Sequence, residues 1–181
     1  MSWKLKKTVV LVGMMGAGKT AVGKALAVKL GVPFLDSDAE IETAANMSIA
    51  EIFARDGESF FRQKESQVIE RLLTSERCIL STGGGAFLAQ QNRDAISDKG
   101  VSVWLDAGLD LLWQRVRHKS TRPLLRTPDP FGTLSELYQQ RTPIYAKADL
   151  RVAVEPSFTI EETRDRVIAA IETRPDVVEM K

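Results

Sequence analysis

The first chemistry legible in this chain is a cradle for phosphate. Gly13-Met14-Met15-Gly16-Ala17-Gly18-Lys19-Thr20 satisfies the pattern G-x-x-x-x-G-K-[ST] at every fixed position. Glycines let the backbone curl so that successive N–H groups converge on phosphate oxygens. A helix opening at the end of the motif adds the positive end of its dipole. Lys19 would then reach the outer phosphates, and the Thr20 hydroxyl would ligate Mg²⁺. A chance glycine-rich turn is the bland alternative. The apolar run before the motif and the amphipathic segment after it speak against that, and the motif reads as a nucleoside triphosphate site. No Asn-Lys-x-Asp segment of the kind that selects guanine is present, which favours ATP.

Three further groups could act on an acceptor. Asp36-Ser37-Asp38 ends an extended run, and alternate residues of a strand point the same way, so both carboxylates could face one cleft. Two neighbouring carboxylates repel unless a cation or hydroxyl donors lie between them. In a phosphotransferase one can hold Mg²⁺ through water while the other takes a proton from the attacking hydroxyl. A solvated acidic turn explains the triplet equally well. Thr82-Gly83-Gly84-Gly85 ends another apolar run, and three consecutive glycines suggest close approach of backbone to ligand, or else a flexible turn. Arg62 and Arg141 have no periodicity that singles them out. Val101–Asp106 imitates an apolar strand ending in a metal-binding aspartate, but Asp106 is read in preference as the N-cap of the next helix.

These groups need a scaffold. Candidate strands are 8–12, 33–36, 78–82, 101–105 and 149–154, alternating with helical segments. Val22, Leu26 and Leu30 share a helix face, Gly31 stands where a C-cap glycine would, and Pro33 prevents continuation. Ser48–Glu51 and Thr159–Glu162 read as capping boxes. Leu109, Leu112, Trp113 and Val116 form an apolar stripe that suits core packing. Strands separated by helices imply a parallel sheet in an α/β/α domain of three layers, with ligands at the carboxyl ends of the strands. The whole chain, 1–181, reads as a single domain. Residues 117–132 carry three prolines and five basic residues (Arg117, His118, Lys119, Arg122, Arg126), as a surface loop or lid would. The tail 174–181 is expected to be weakly structured.

Composition narrows the class. Apolar residues make up 44%, charged residues 27%, and the net charge is +1, giving no reason to expect a nucleic-acid or membrane partner. The single cysteine, Cys78, excludes an internal disulfide and reads as a buried strand residue. The amino terminus lacks the apolar region of a signal peptide, and no stretch approaches a membrane span, so a cytoplasmic protein is expected.

Taken in order, the motifs resemble the shikimate kinase family from about residue 8 to about residue 171. Besides the P-loop, the carrying residues are Phe34–Asp38 with Ile41-Glu42, Ile49–Phe53, Gly57-Glu58, Phe61-Arg62 and Glu65. Ser81–Gly85, Arg122–Leu125 and Arg141–Tyr145 complete them. The resemblance implies a P-loop kinase fold like that of nucleoside monophosphate kinases, with a five-stranded parallel sheet in order 2-3-1-4-5. It implies ATP-dependent phosphorylation of shikimate at its 3-hydroxyl, on the route to chorismate and the aromatic amino acids, by a monomer. Asp36 would share Mg²⁺ with Thr20, and Asp38 would bind ring hydroxyls and act as base. Arg62 and Arg141 would hold the carboxylate, and Gly83, Gly84 and Gly85 would approach the ring. The run 79–82 would take the Walker B place, which further demotes Asp106. Arg122 would close on ATP from a lid, and Arg115 would stack on adenine, whose other side falls near 155–159. A gluconate kinase-like enzyme and a regulatory nucleotide-binding protein are the competing readings. The intact Asp36, Asp38, Arg62 and Arg141 oppose the second.

Overall fold

The computed structural model describes residues 2–117 and 127–181. Strand β1 (Trp3–Leu5) comes first, followed by β2 (Thr8–Val12), α1 (Lys19–Leu30), β3 (Phe34–Asp36) and α2 (Ser37–Ala45). Next are α3 (Ile49–Thr74), β4 (Ile79–Ser81), a short 3₁₀ turn (Ala86–Leu88), α4 (Gln90–Lys99), β5 (Gly100–Ala107) and α5 (Leu109–Val116). The chain closes with α6 (Pro130–Tyr145), β6 (Leu150–Val154), α7 (Ile160–Ile171) and β7 (Val178–Met180).

Five strands form one sheet in the order β3-β4-β2-β5-β6, every pair parallel. Numbered within that sheet alone, this is the expected 2-3-1-4-5. Every residue of β2 is buried, as a central strand covered on both faces requires. Helices α1 and α7 pack together, as do α3 and α4. Right-handed crossovers put those two pairs on opposite faces of the sheet.

Local signals set the boundaries. Gly31 caps α1 in a left-handed conformation, its N–H bonding back to Ala27 and Val28. Both capping boxes form: the Ser48 hydroxyl accepts from the Glu51 N–H and Thr159 accepts from Glu162. Each cap contributes on the order of 1 kcal/mol. Cys78 is fully buried at the entry to β4.

Three expectations need correction. The tail is ordered: β7 pairs antiparallel with β1, placing Trp3 opposite Met180 and Leu5 opposite Val178, and Val177 is fully buried. Asp106 does not cap α5, whose N-cap is Gly108 with no side-chain bond. Instead its carboxylate lies 2.7 Å from the Arg151 guanidinium on the neighbouring strand. The segment 117–132 is also not loop throughout. Asp129 caps α6 through the Gly132 N–H, and Pro130 occupies the first turn, where its missing N–H does no harm. Arg122, with most of the expected lid, lies outside the described residues.

Candidate functional site

The P-loop follows β2 at the carboxyl edge of the sheet. Gly16 (φ 87°) and Gly18 (φ 99°) occupy a region of backbone space that L side chains rarely adopt. A Cβ on Gly16 would also stand 2.8 Å from Val116 on α5. Helix α1 begins at Lys19, and its N-cap, Gly18, has no side chain to accept from the first N–H groups, which belong to residues lining the cleft. Lys19 folds over the loop, donating to the carbonyls of Gly13 (2.6 Å) and Met14 (3.3 Å). Arg115 braces the loop from α5 by donating to the Gly16 carbonyl at 2.9 Å, and its burial pulls the guanidinium pKa below its ordinary value.

The acidic pair is positioned differently from the expected strand alternation. Asp36 ends β3 and at the same time caps α2, its Oδ1 accepting from the N–H groups of Asp38 (2.9 Å) and Ala39 (3.2 Å). Asp38 therefore stands in the first turn of a helix. Both carboxylates still line one cleft, because the strand-to-helix turn keeps them together. Burial raises the Asp38 pKa, the Asp36 and Glu42 carboxylates raise it further, and Lys19 and Arg62 oppose them.

The glycine run explains the arginines. A Cβ on Gly83 would lie 2.8 Å from Asp38 Oδ1, one on Gly84 would lie 2.8 Å from Arg141 Nη1, and one on Gly85 would lie 2.5 Å from Arg62 Nη2. Three consecutive positions thus each give room to one charged head from a different helix. None of the three glycines has positive φ, so space is what excludes a side chain here. Arg62 is held by Glu65, fully buried one turn along α3, at 2.9 Å. Burial raises the Glu65 pKa, and the Arg62 hydrogen bond and charge counter it. Arg141 is itself buried.

Met14–Thr20, Asp36, Asp38, Arg62, Glu65, Gly83–Gly85, Arg115 and Arg141 line a single cleft of about 1380 Å³. Single-ligand sites span roughly 300–1,000 Å³, so there is room for two substrates at once. A family model for shikimate kinase matches residues 15–172. The shikimate kinase of Ruegeria pomeroyi is 68% identical over 97% of this chain and 90% of its own length. The chain belongs to the shikimate kinase family. The family member of Cereibacter sphaeroides is 66% identical over 97% of this chain and 88% of its own length. A solved shikimate kinase from Acinetobacter baumannii in complex with shikimate superposes with a TM-score of 0.84 at 35% identity, covering 92% of this chain and 93% of that one.

Met14–Thr20, Asp36, Asp38, Arg62, Arg115 and Arg141, from five separate stretches of chain, line the one cleft, and Gly13 joins them through the Lys19 bond to its carbonyl. The cleft is also lined by Val154, Phe158, Thr159, Ile160 and Thr163, from the end of β6 and the start of α7. Sequence reasoning gave Glu65 no role, although its i, i+3 spacing from Arg62 on one helix was the available signal. Phe158 falls within 155–159, the stretch that the resemblance set on the other side of adenine.

Proposed function

We propose that this chain transfers the γ-phosphoryl group of ATP to the 3-hydroxyl of shikimate, giving shikimate 3-phosphate and ADP. The observation that carries the reading is the triple-glycine strip, against which Asp38, Arg141 and Arg62 are set beside the P-loop. A planar carboxylate suits two arginine forks, and a ring hydroxyl suits a carboxylate whose proton affinity burial has raised. ADP release measured with shikimate, with gluconate and with no acceptor tests the reading. Turnover with shikimate alone is expected; equal rates in the three arms would overturn it.

The P-loop N–H groups and Lys19 bind and orient the β- and γ-phosphates, with Arg115 and the Phe158 wall enclosing the base. Arg62 and Arg141 hold the shikimate carboxylate, so that one ring hydroxyl lies between Asp38 and the γ-phosphate. Asp38 accepts the proton of that hydroxyl as the new O–P bond forms and the bond to the β-phosphate oxygen breaks. The donor set fits Mg²⁺, a hard cation that takes oxygen ligands. Thr20 would hold it by its hydroxyl and Asp36 through water, the Asp36 Oδ1 being committed to α2. There the ion would neutralise charge building on the phosphates. Arg122 would add charge from the lid.

A monomer in the cytoplasm fits best. Of the large apolar side chains exposed among the described residues, Phe53 and Ile160 line the cleft, while Val28, Phe131 and Met180 stand on three different elements. Among the described residues no helix is long and apolar enough to cross a membrane. ATP as co-substrate suits that compartment.

Two substitutions test the acceptor side. Lysine at position 62 or 141 keeps the charge and loses the fork, and a lost charge-assisted bond costs roughly 1.5–3 kcal/mol, about 10- to 100-fold. The loss should appear in kcat/KM for shikimate while KM for ATP stays put. Gly85→Ala forces the Arg62 head aside without straining the backbone. It should lower kcat/KM for shikimate about tenfold, while KM for ATP stays put. A fall in Tm with unchanged kinetics would show that the glycine serves packing alone.

A further inference from the structure

Behind the acceptor wall, and outside the cleft lining, lies a group to which nothing above assigns a part. Tyr145 ends α6 one turn after Arg141 and is 1% exposed. Its hydroxyl donates to the Gly84 carbonyl at 2.5 Å, across 61 residues of sequence. The same glycine has the Arg141 Nη1 and the Tyr145 hydroxyl around the space where its Cβ would be, at 2.8 and 3.7 Å. Its ring lies against Trp104 of β5, the centroids 6.4 Å apart, so the phenol is fixed by packing as well.

We propose that Tyr145 is a positioning residue for acceptor binding: it ties the Gly84 backbone to α6 and thereby sets where the Arg141 guanidinium stands. The argument rests on the shikimate reading of the cleft. A phenol has one proton, and here the Gly84 carbonyl takes it. The oxygen is left as an acceptor facing a fixed cation. Burial raises the phenol pKa, and the charge and hydrogen bonding of Arg141 pull against that rise, as such an arrangement requires. Gly84 in turn leaves the gap the guanidinium fills. The three groups form a closed unit in which a shift of the glycine strip would carry Arg141 with it. Tyr145 cannot itself touch the substrate, since Arg141 and Gly84 stand at the cleft wall and it does not.

Tyr145→Phe keeps the ring packed on Trp104 and removes only the hydroxyl. It should lower kcat/KM for shikimate about tenfold, the loss expected when a buried carbonyl is left without its donor, with KM for ATP within twofold of wild type. A double-mutant cycle with Arg141→Lys separates positioning from mere stability. If Tyr145 acts through Arg141, the double variant loses little more than Arg141→Lys alone. Fully additive losses, or a Tyr145→Phe variant with a lowered Tm and wild-type kinetics, would overturn the proposal. A wild-type enzyme inactive on shikimate would instead overturn the reading of function on which it rests, and the wild-type arm of the assay reports that separately.

Discussion

Replacing Lys19 by alanine is expected to leave a folded protein whose kcat is lower by about 10²- to 10³-fold, the range found when one preorganised donor to a developing negative charge is removed. Lys19 is only part-buried and bonds to two carbonyls of its own loop, so the fold does not depend on it. Those carbonyls belong to Gly13 and Met14, the first two residues of the cradle, so the ammonium is held beside the loop in which the proposed function puts the outer phosphates. Lysine's compact charge suits several phosphate oxygens at once, and alanine offers them nothing. Steady-state kinetics with saturating shikimate, accompanied by thermal melting, provide the check. A folded variant with wild-type turnover would remove Lys19 from the catalytic machinery.

Asp38→Asn is expected to lower kcat by about 10²- to 10⁴-fold, the usual contribution of a positioned general base. It should also raise Tm. The Asp38 carboxyl has a raised pKa in the folded protein, mainly through burial and then through Asp36. A carboxyl of this kind favours the fold while it is protonated, and that contribution is lost as pH rises through the folded-state pKa. At neutral pH the ionised form therefore opposes folding, and a neutral amide of the same shape relieves it. The same shift predicts the pH profile. The acidic limb of kcat should fall at a pH above the ordinary aspartate range, since the base must be ionised to act, and the limb should disappear in the variant. Loss of both activity and stability would instead mean that Asp38 chiefly supports the packing of α2.

The parts of the fold that sequence revealed are those coded by neighbours. Five strands were legible because apolar runs alternate with helical faces, and two capping boxes because their partners lie three residues apart. The pair β1–β7 was invisible. Trp3-Lys4-Leu5 and Val178-Glu179-Met180 are too short for a period-two signal, and their partnership spans nearly the whole chain. Helix α2 was hidden because Asp36 both ends a strand and caps a helix, and Asp38 was therefore assigned to the wrong element. Asp106 failed for a similar reason: an aspartate before a helical stripe looks like a cap unless the adjacent strand's arginine is known. At the site, the phosphate cradle is local and was fully legible. Arg62 and Arg141 were found only by resemblance, because what marks them is a glycine vacancy contributed by a different segment. Glu65 lines the cleft three residues after Arg62, a spacing the sequence does show, whereas Tyr145 lies behind the wall and was marked only as the end of a family motif.

The pairing of the two terminal strands makes the chain nearly a ring. Lys181 donates its N–H to the Ser2 carbonyl at 2.9 Å, and Lys6 reaches Glu179 at 3.0 Å. Both ends sit beside the start of β2, across the sheet from the phosphate edge. A linker of about four to six residues could therefore join them without crossing the cleft. The exposed turn at 75–77, which enters β4 from that same remote edge, is a natural place to open the circle again. Tension applied at both ends would meet β1 and β7 first, as a short zipper parting one rung at a time while the five-stranded sheet is still unloaded.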